Sequence, residues 1–359
     1  MASSPPLAAP ASLARPRRTL GRAAAGVAVV GCGYWGPNLL RNFADNPRAE
    51  VRWACDLRAE RLEPLSRRYP GVRRTSALDN VLADPEVDLV AIATPVDSHV
   101  ALARRAIEAG KHVVLEKPLS RRVDEAVGLR DAAAKHGVTI FVDHTFVFTP
   151  AVRKMREVVA SGELGRRLYY DSVRVNLGLF QQDVSVLWDL APHDLSILHH
   201  LTGGESPRRV SCTGVAHYSE LEDVAYLTLF YADDFVAHVH VNWLAPVKVR
   251  QILLGGSRKM LVYDDNDPVE KIRIYDKGVA ASPSDRATAP QLIQYRLGDM
   301  TAPMLPATEA LAVEVDSILA ALLDGAEPVC GIDAGLSVVR TLNAAQLSLE
   351  MGGVPVEIA

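Results

Sequence analysis

Asp189 and His193 have the spacing and the chemistry of an acid–base pair. They lie four residues apart in segment 188–194, so a helix places both side chains on one face. An imidazole that titrates near neutral pH can accept a hydroxyl proton while a carboxylate fixes its tautomer. A structural interpretation also fits, in which Asp189 is the N-cap of the helix, Pro192 lies in the first turn and His193 is a core histidine.

A glycine-rich turn is the second feature that could do chemistry. Gly31, Gly33 and Gly36 form a G-x-G-x-x-G motif between the apolar run 27–30 and segment 38–43, whose apolar residues have helical spacing. Glycines let the backbone approach a pyrophosphate, and the N terminus of the following helix supplies N–H donors. The pattern predicts a dinucleotide site where a strand turns into a helix.

Asp56 supports this interpretation and favours NAD as the cofactor. It ends the predicted strand 51–55 and lies 20 residues beyond Gly36, the spacing at which a carboxylate binds both ribose hydroxyls. An aspartate repels a 2′-phosphate, so NADP is disfavoured. Arg58 could pair with such a phosphate if its loop turned inward, although a solvated surface arginine is the simpler interpretation.

The first 150 residues alternate between strand and helix patterns. Predicted strands over 87–93, 111–115 and 138–142 are separated by predicted helices over 98–109 and 123–136. Such alternation predicts a doubly wound parallel sheet, whose ligands lie at the carboxyl ends of the strands. The dipeptide Thr94-Pro95, the tripeptide Glu116-Lys117-Pro118 and the dipeptide Asp143-His144 all fall at such ends.

The pattern changes after Pro150. Strand-like runs recur from 167 to 275 and predict a mostly antiparallel sheet, which is interrupted by a predicted helix over 188–201. Predicted helices over 308–324 and 334–351 close the chain. We therefore expect an α/β protein with a disordered leader over 1–25, a Rossmann domain over 26–147 and an α+β domain with an open sheet over 148–359.

Composition excludes several classes of function. The chain has 359 residues, 48% of them apolar, and a net charge of −4, which offers no basic surface for nucleic acid. Its four widely spaced cysteines predict neither a zinc site nor a disulfide framework, and we expect a reducing cytoplasm, no metal and no membrane. Arg17-Arg18 resembles an export signal, but the apolar stretch behind it runs directly into the glycine motif. A metal hydrolase built on His193, His199 and His200 lacks a known ligand spacing.

Four motifs occur in this order along the chain: the glycine motif, Thr94-Pro95 with His99, Glu116-Lys117-Pro118 and the Asp189/His193 pair. Together they resemble the Gfo/Idh/MocA family of NAD(P)-dependent oxidoreductases over about residues 26–355. The resemblance implies that the second domain binds substrate and associates through its sheet into a homodimer or homotetramer. It also implies that Lys117 and His193 are the catalytic pair, with Asp189 as their partner. Lys117 as a structural ion-pair partner of Glu116 is the alternative.

The same resemblance implies the remaining contacts. Those to the cofactor are Gly31, Gly33, Tyr34, Trp35, Gly36, Asp56, Thr94, Pro95, His99, Glu116 and Lys117. Those to the substrate are Lys117, His144, Arg174, Asn176, Asp189 and His193, with Arg174 the candidate for a substrate diphosphate.

The resemblance also indicates a class of substrate. Segments 34–39 and 188–194 are similar to those of enzymes acting at C3 of a nucleotide-linked hexose or hexuronic acid, and histidine at position 193 favours oxidation. A cyclitol dehydrogenase of the inositol type is the first alternative. A dinucleotide-sensing regulator without catalysis is the second, and the presence of Lys117, Asp189 and His193 together speaks against it.

Overall fold

The first half of the chain forms a parallel six-stranded sheet. The computed structural model describes residues 19–178, 180–280 and 294–358. The strand order is β3-β2-β1-β4-β5-β6, and every neighbouring pair is parallel. The strands are β1 Ala25–Val30, β2 Ala49–Cys55, β3 Arg73–Thr75, β4 Leu89–Ile92, β5 His112–Glu116 and β6 Ile140–Asp143.

Apolar sequence explains the centre of this sheet. All residues of β1 and β4 are buried, as expected of strands that are covered on both faces by helices. The helices of this half are α1 Gly36–Ala44, α2 Glu63–Arg68, α3 Leu78–Leu82, α4 Val96–Glu108 and α5 Val123–His136, with a short 3₁₀ helix at Ala59–Arg61. Five parallel pairs bring the carboxyl ends of the strands to one edge, where the predicted cofactor residues meet.

The second half forms a mixed, mostly antiparallel nine-stranded sheet of order β16-β13-β12-β11-β7-β10-β9-β8-β17, in which only β7 and β10 are parallel neighbours. The predicted fold class is confirmed. The strands are β7 Arg167–Val175, β8 Arg209–Val215, β9 Val224–Phe230, β10 Val236–Asn242, β11 Val249–Gly256, β12 Met260–Asp264, β13 Ile272–Tyr275, β16 Met300–Thr301 and β17 Val356–Glu357, while β14 Gly278–Ala280 and β15 Gln294–Arg296 pair separately. The predicted association through the large sheet stays a prediction.

Helices of the second half cover one face of the nine-stranded sheet, and two of them also pack against the first sheet. They are α6 Pro150–Ala160, α7 Val186–Thr202, α8 Ala310–Leu323 and α9 Ile332–Glu350, with a 3₁₀ helix at Thr145–Phe148. Apolar residues of α8, such as Val315 and Leu319, are buried in one cluster with Val27 of β1. Helix α8 therefore packs against the first sheet, although the predicted boundary assigned residues 148–359 to the second domain.

Helix α9 contacts both halves with different faces. Leu336 and Val339 pack in the cluster that contains Val142 of β6, whereas Val338 and Leu342 pack in the core of the large sheet. The two halves thus share a helix that is buried on both sides.

The end of the predicted leader is part of the first domain. The backbone N–H of Leu20 donates to the carbonyl of Leu322, and Arg22 forms an ion pair with Asp88. Strand β1 begins at Ala25, so the leader prediction is wrong for residues 19–25. Residues 1–18 lie outside the described part of the chain.

A glycine in α9 allows the close approach of this helix to the first sheet, and this generates a prediction. A Cβ at Gly335 would lie 2.6 Å from Val142 Cγ2 and 3.3 Å from Leu119 Cδ2. Overpacking costs about 1–3 kcal/mol, against roughly 1 kcal/mol that alanine gains in helix propensity. We expect Gly335→Ala to lower the midpoint of urea unfolding.

Gly128→Ala in α5 is the matched control, because its added methyl meets only the flexible Arg104 guanidinium at 3.1 Å. We expect this second substitution to leave the midpoint unchanged or to raise it. Equal shifts in the two variants would contradict the packing argument.

Candidate active site

A cavity of about 660 Å³ lies where the carboxyl ends of the first sheet face helix α7 and the large sheet. It brings together half of the site residues predicted from sequence. Its lining includes Tyr34, Trp35, Thr94, Pro95, Glu116, Lys117, Asp143, Thr145, Phe146, Gln181, Asp183, Trp188, Asp189, His193 and Arg250.

The glycine turn at one end of this cavity has the shape of a pyrophosphate cradle. Gly31 has φ +88°, and a Cβ on it would lie 2.6 Å from the Ala93 carbonyl oxygen. A Cβ on Gly36 would lie 1.9 Å from the Gly31 carbonyl oxygen. A Cβ on Gly33 would lie 3.5 Å from the Arg61 guanidinium, an ordinary contact with the end of a flexible side chain. No side chain caps the N terminus of α1, and the turn therefore fits a dinucleotide.

Asp56 is held at the end of β2 by the same turn. Its carboxylate accepts hydrogen bonds from the backbone N–H groups of Cys32, at 2.7 Å, and of Arg58, at 2.9 Å. The Arg61 guanidinium lies 3.4 Å from the Asp56 carboxylate, so Arg61 is the arginine that pairs with this group. Sequence reasoning considered only Arg58, as a partner for a 2′-phosphate, and it missed Arg61, which the 3₁₀ turn at Ala59–Arg61 brings to the Asp56 carboxylate.

Trp35 links the glycine turn to a group of buried carboxyls. Its indole N–H donates to Asp143 Oδ2 at 2.6 Å. Burial raises the pKa of Asp143, and burial together with Asp143 raises the pKa of Glu116 to about 8. Burial and Asp143 also raise the pKa of Glu314, a residue of α8 that the sequence analysis missed. The sequence signal that could have identified Glu314 is a glutamate within the apolar pattern of the predicted helix 308–324.

His99 occupies a structural position beside the cavity. It is buried, and its ring nitrogens lie 2.8 Å from the Thr94 carbonyl and 3.0 Å from the Pro118 carbonyl. The ring therefore ties together the segments that follow β4 and β5. His99 does not line the cavity, so it supports the predicted cofactor residues from behind.

Lys117 and Asp189 form the polar contact between the two halves at the cavity wall. The Lys117 ammonium donates to Asp189 Oδ1 at 3.1 Å and to the Asp189 carbonyl at 2.9 Å. The other carboxylate oxygen, Oδ2, accepts from the Trp243 indole at 3.2 Å. The alternative partner of Lys117, Glu116, makes no such contact within the described residues. Trp243 was missed because it lies 54 residues away in the sequence.

His193 lines the same cavity without a hydrogen bond to Asp189. Among the described residues its Nδ1 has no partner, and its ring meets Phe146 edge-on at 4.9 Å. Burial, reinforced by the charges of Lys117 and Arg174, lowers the pKa of His193 well below its ordinary value. The imidazole is therefore neutral at pH 7.

Helix α7 begins earlier than predicted, and this changes the role of Asp189. The N-cap is Ser185, so Asp189 lies in the first turn and Pro192 in the helix interior. The structural interpretation of Asp189 as N-cap was wrong. The carboxylate is instead available to Lys117 and Trp243.

Arg174 does not line the cavity, in contrast to the prediction. It is 3% exposed, its Nε lies 2.6 Å from Asp194 Oδ2, and its guanidinium lies 4.3 Å from the centre of the Phe146 ring. A charge that is buried and paired in this way serves the core of the large sheet. Arg250 of the neighbouring strand β11 lines the cavity instead.

Two further predicted substrate contacts lie off the cavity wall. His144 is 1% exposed, and neither ring nitrogen has a partner in the described part of the chain. Burial lowers the pKa of His144 to about 3. Asn176 is half-buried, its backbone N–H donates to the Asn242 carbonyl, and its substrate contact stays a prediction.

Across the described residues no helix is long and apolar enough to cross a membrane. Within the same residues no group of three or more histidine, cysteine or acidic side chains is arranged to hold a metal ion.

Comparisons with known proteins agree with this geometry. Residues 25–144 match the family "Oxidoreductase family, NAD-binding Rossmann fold", and residues 152–262 match the "GFO/IDH/MocA C-terminal domain". An uncharacterized oxidoreductase, YrbE of Bacillus subtilis, is 26% identical over 92% of this chain and 95% of its own length. UDP-N-acetylglucosamine 3-dehydrogenase of Acidithiobacillus ferrooxidans is 25% identical over 90% of this chain and 96% of its own.

A solved structure shares the fold of this chain. The crystal structure of GenD2 from gentamicin A biosynthesis in complex with NAD superposes with a TM-score of 0.79, at 25% identity, over 96% of this chain and 99% of that one. The two family matches together span most of the chain, and the glycine turn and Asp56 fit the cofactor. The chain is therefore an oxidoreductase of the GFO/IDH/MocA family, and its first domain binds NAD.

Proposed function

We propose that the protein oxidises a carbinol of a sugar or cyclitol, with His193 taking the hydroxyl proton and Lys117 stabilising the alkoxide. One observation carries the proposal. Asp189 fixes the Lys117 ammonium, and Lys117 and His193 line the same cavity. Bound NAD supplies the hydride acceptor. Hydride leaves a carbinol carbon readily only as its hydroxyl loses a proton, so the site needs a base and a nearby cation.

Lys117 has one donor left for the substrate. An ammonium carries three N–H groups, and two of them are directed at the carbonyl and the carboxylate of Asp189. The third can donate to the carbinol oxygen and stabilise negative charge as it develops. Asp189 acts in this scheme as a positioning residue for Lys117, rather than as the partner of His193.

His193 supports the proposal through its protonation state. A neutral imidazole offers a lone pair to the hydroxyl proton, and the lowered pKa of His193 keeps it neutral over the physiological range. The Glu116 carboxyl, whose pKa is raised to about 8, stays protonated at pH 7 and adds no charge beside the reacting carbon.

Two substrate classes follow from relatives. UDP-N-acetylglucosamine 3-dehydrogenase is a relative that supports a nucleotide-linked hexose or hexuronic acid oxidised at C3. The scyllo-inositol 2-dehydrogenase (NADP(+)) IolW of Bacillus subtilis, 27% identical over 55% of this chain and 53% of its own, supports a cyclitol. The remaining alternative is a dinucleotide-sensing regulator without catalysis. It predicts that NAD binds and that no carbinol is oxidised.

The direct test measures formation of reduced cofactor at 340 nm with panels of nucleotide sugars, free sugars and cyclitols. We expect turnover with at least one member, and a loss of about 10²–10³-fold in kcat for Lys117→Met, because the carbinol oxygen loses the ammonium that stabilises its developing charge. Lys154→Met is the control, since Lys154 pairs with Glu157 on α6 and does not line the cavity.

Binding of NAD is followed separately by thermal shift, because a ligand of the native state raises its melting temperature. A Lys117→Met protein that binds NAD and turns over at the wild-type rate would contradict the role of Lys117. Absence of turnover in either direction with every class would contradict the proposed function.

A pH profile tests His193. Its lowered pKa means that the neutral form persists on acidification, so kcat/KM for oxidation should begin to fall only well below pH 6.5, the ordinary histidine value. We expect His193→Asn to reduce kcat by about 10²–10⁴-fold and to remove this acid limb.

An acid limb centred at or above the ordinary histidine value would argue against a buried neutral His193. A fall in rate near pH 8 that disappears in Glu116→Gln would belong to Glu116, whose pKa is raised to about 8. The two titrations are thus separable by one substitution each.

A further inference from the structure

A second cavity, of about 770 Å³, adjoins the one that holds Lys117 and His193. Gln181 lines both, so the two cavities are neighbours that share one side chain. The described residues around the second cavity are Leu177, Phe180, Gln181, Gln182, Tyr218, Ser219, Glu220, Leu221 and Leu244. None of them has a role in the proposed hydride transfer.

The wall of this second cavity is aromatic and open to solvent. Tyr218 is 76% exposed and meets the Phe180 ring edge-on at 6.0 Å between ring centres. The Phe180 ring lies in turn 5.5 Å from that of Trp243. Leu177 is 70% exposed beside them. Large apolar side chains that stay exposed together at the mouth of an active-site cavity mark a surface that a ligand covers.

The backbone beneath Tyr218 is fixed. The buried Asp223 carboxylate accepts from the N–H of His217 at 2.9 Å and of Tyr218 at 3.3 Å. It also lies 2.7 Å from His217 Nδ1. Three hydrogen bonds to one buried carboxylate hold the start of the 217–223 loop, so the exposed ring is presented at little entropic cost to a ligand.

Trp243 joins this aromatic wall to the reacting end. Its backbone N–H donates to the Asp223 carbonyl at 2.9 Å, and its indole N–H donates to Asp189 at 3.2 Å. Asp189 holds the Lys117 ammonium. The aromatic wall and the carbinol site are therefore positioned by one set of contacts, as expected of two parts of one substrate site.

The charges of the lining residues limit which ligands the second cavity can bind. None of the described residues that line the second cavity is cationic, and one, Glu220, is acidic. Asp183 lines the first cavity close to the shared Gln181. The lining cations of the first cavity, Lys117 and Arg250, already face Asp189 and Asp265. Among the described lining residues, a diphosphate crossing from one cavity to the other would meet Glu220 and Asp183, and it would compete with Asp189 and Asp265 for the two lining cations.

We infer that the Phe180/Tyr218 cavity is a subsite for the distal ring of a two-ring glycoside that is uncharged or cationic, with that ring stacked on the aromatic side chains and hydrogen-bonded by Gln181 or Gln182. This inference rests on the proposed function, since it places the carbinol ring of the same substrate beside Lys117. It replaces the nucleotide-linked sugar with a glycoside that carries no phosphate.

The test compares matched ligands in the full-length protein with NAD. The panel holds uncharged disaccharides and aminoglycosides, each beside its single-ring component, together with UDP-hexoses, and binding is measured by calorimetry alongside turnover. We expect at least one two-ring compound to bind at least about 10-fold more tightly than its single ring, and Tyr218→Ala to remove about 3- to 10-fold of that gain. Affinity for the single ring should not change.

Tyr295→Ala is the matched control, since Tyr295 is 78% exposed and lies in β15, outside both cavities. Equal loss of affinity for one-ring and two-ring compounds in Tyr218→Ala would overturn the subsite. So would a panel in which no two-ring compound exceeds its single ring. A UDP-hexose whose tight binding depends on Tyr218 would overturn the charge argument. Failure of the proposed function is a different result, in which a compound binds with NAD and no carbinol is oxidised.

Discussion

The ion pair between Lys117 and Asp189 is the contact on which the arrangement of the site depends. Lys117 follows the end of β5 in the first sheet, and Asp189 lies in the first turn of α7 above the second sheet. Neither half alone presents both groups. The pair is less than one-fifth exposed, so water screens it only in part.

Around this contact, buried polar groups fix several of the segments that border the two cavities. Asp143 accepts from Trp35 and so holds the glycine turn against the first sheet. His99 bridges the segments after β4 and β5. Asp223 fixes the loop that carries Tyr218. Buried groups of this kind are costly when unpaired, so each one defines a single geometry for its segment.

Local patterns in the sequence were sufficient to place the first sheet, the glycine turn and Asp56. The apolar runs of β1 and β4, the glycine turn and Asp56 each depend on neighbours within about 30 residues, and they appear where the patterns indicated. The second half was harder. Arg174 and Asp194 are both charged, and charged residues are normally exposed, so nothing local showed that they neutralise each other in the core.

Contacts between distant segments account for what sequence reasoning missed. Trp243, which follows β10, reaches Asp189 because helix α7 packs against β10. Arg250 reaches the cavity because β11 lies beside β7. Strand patterns predict that a sheet exists, but the order of its strands is set by packing of the whole domain.

The return of α8 and α9 to the first sheet has a consequence for how the molecule can be divided. Residues 25–144 contain every strand of the NAD-binding sheet, yet Val27 and Val142 are covered by side chains from beyond residue 310. A fragment cut at the family boundary would expose those apolar surfaces to water. The packed unit around the NAD-binding sheet is therefore discontinuous in sequence, and a nascent chain completes it only once α9 has been synthesised.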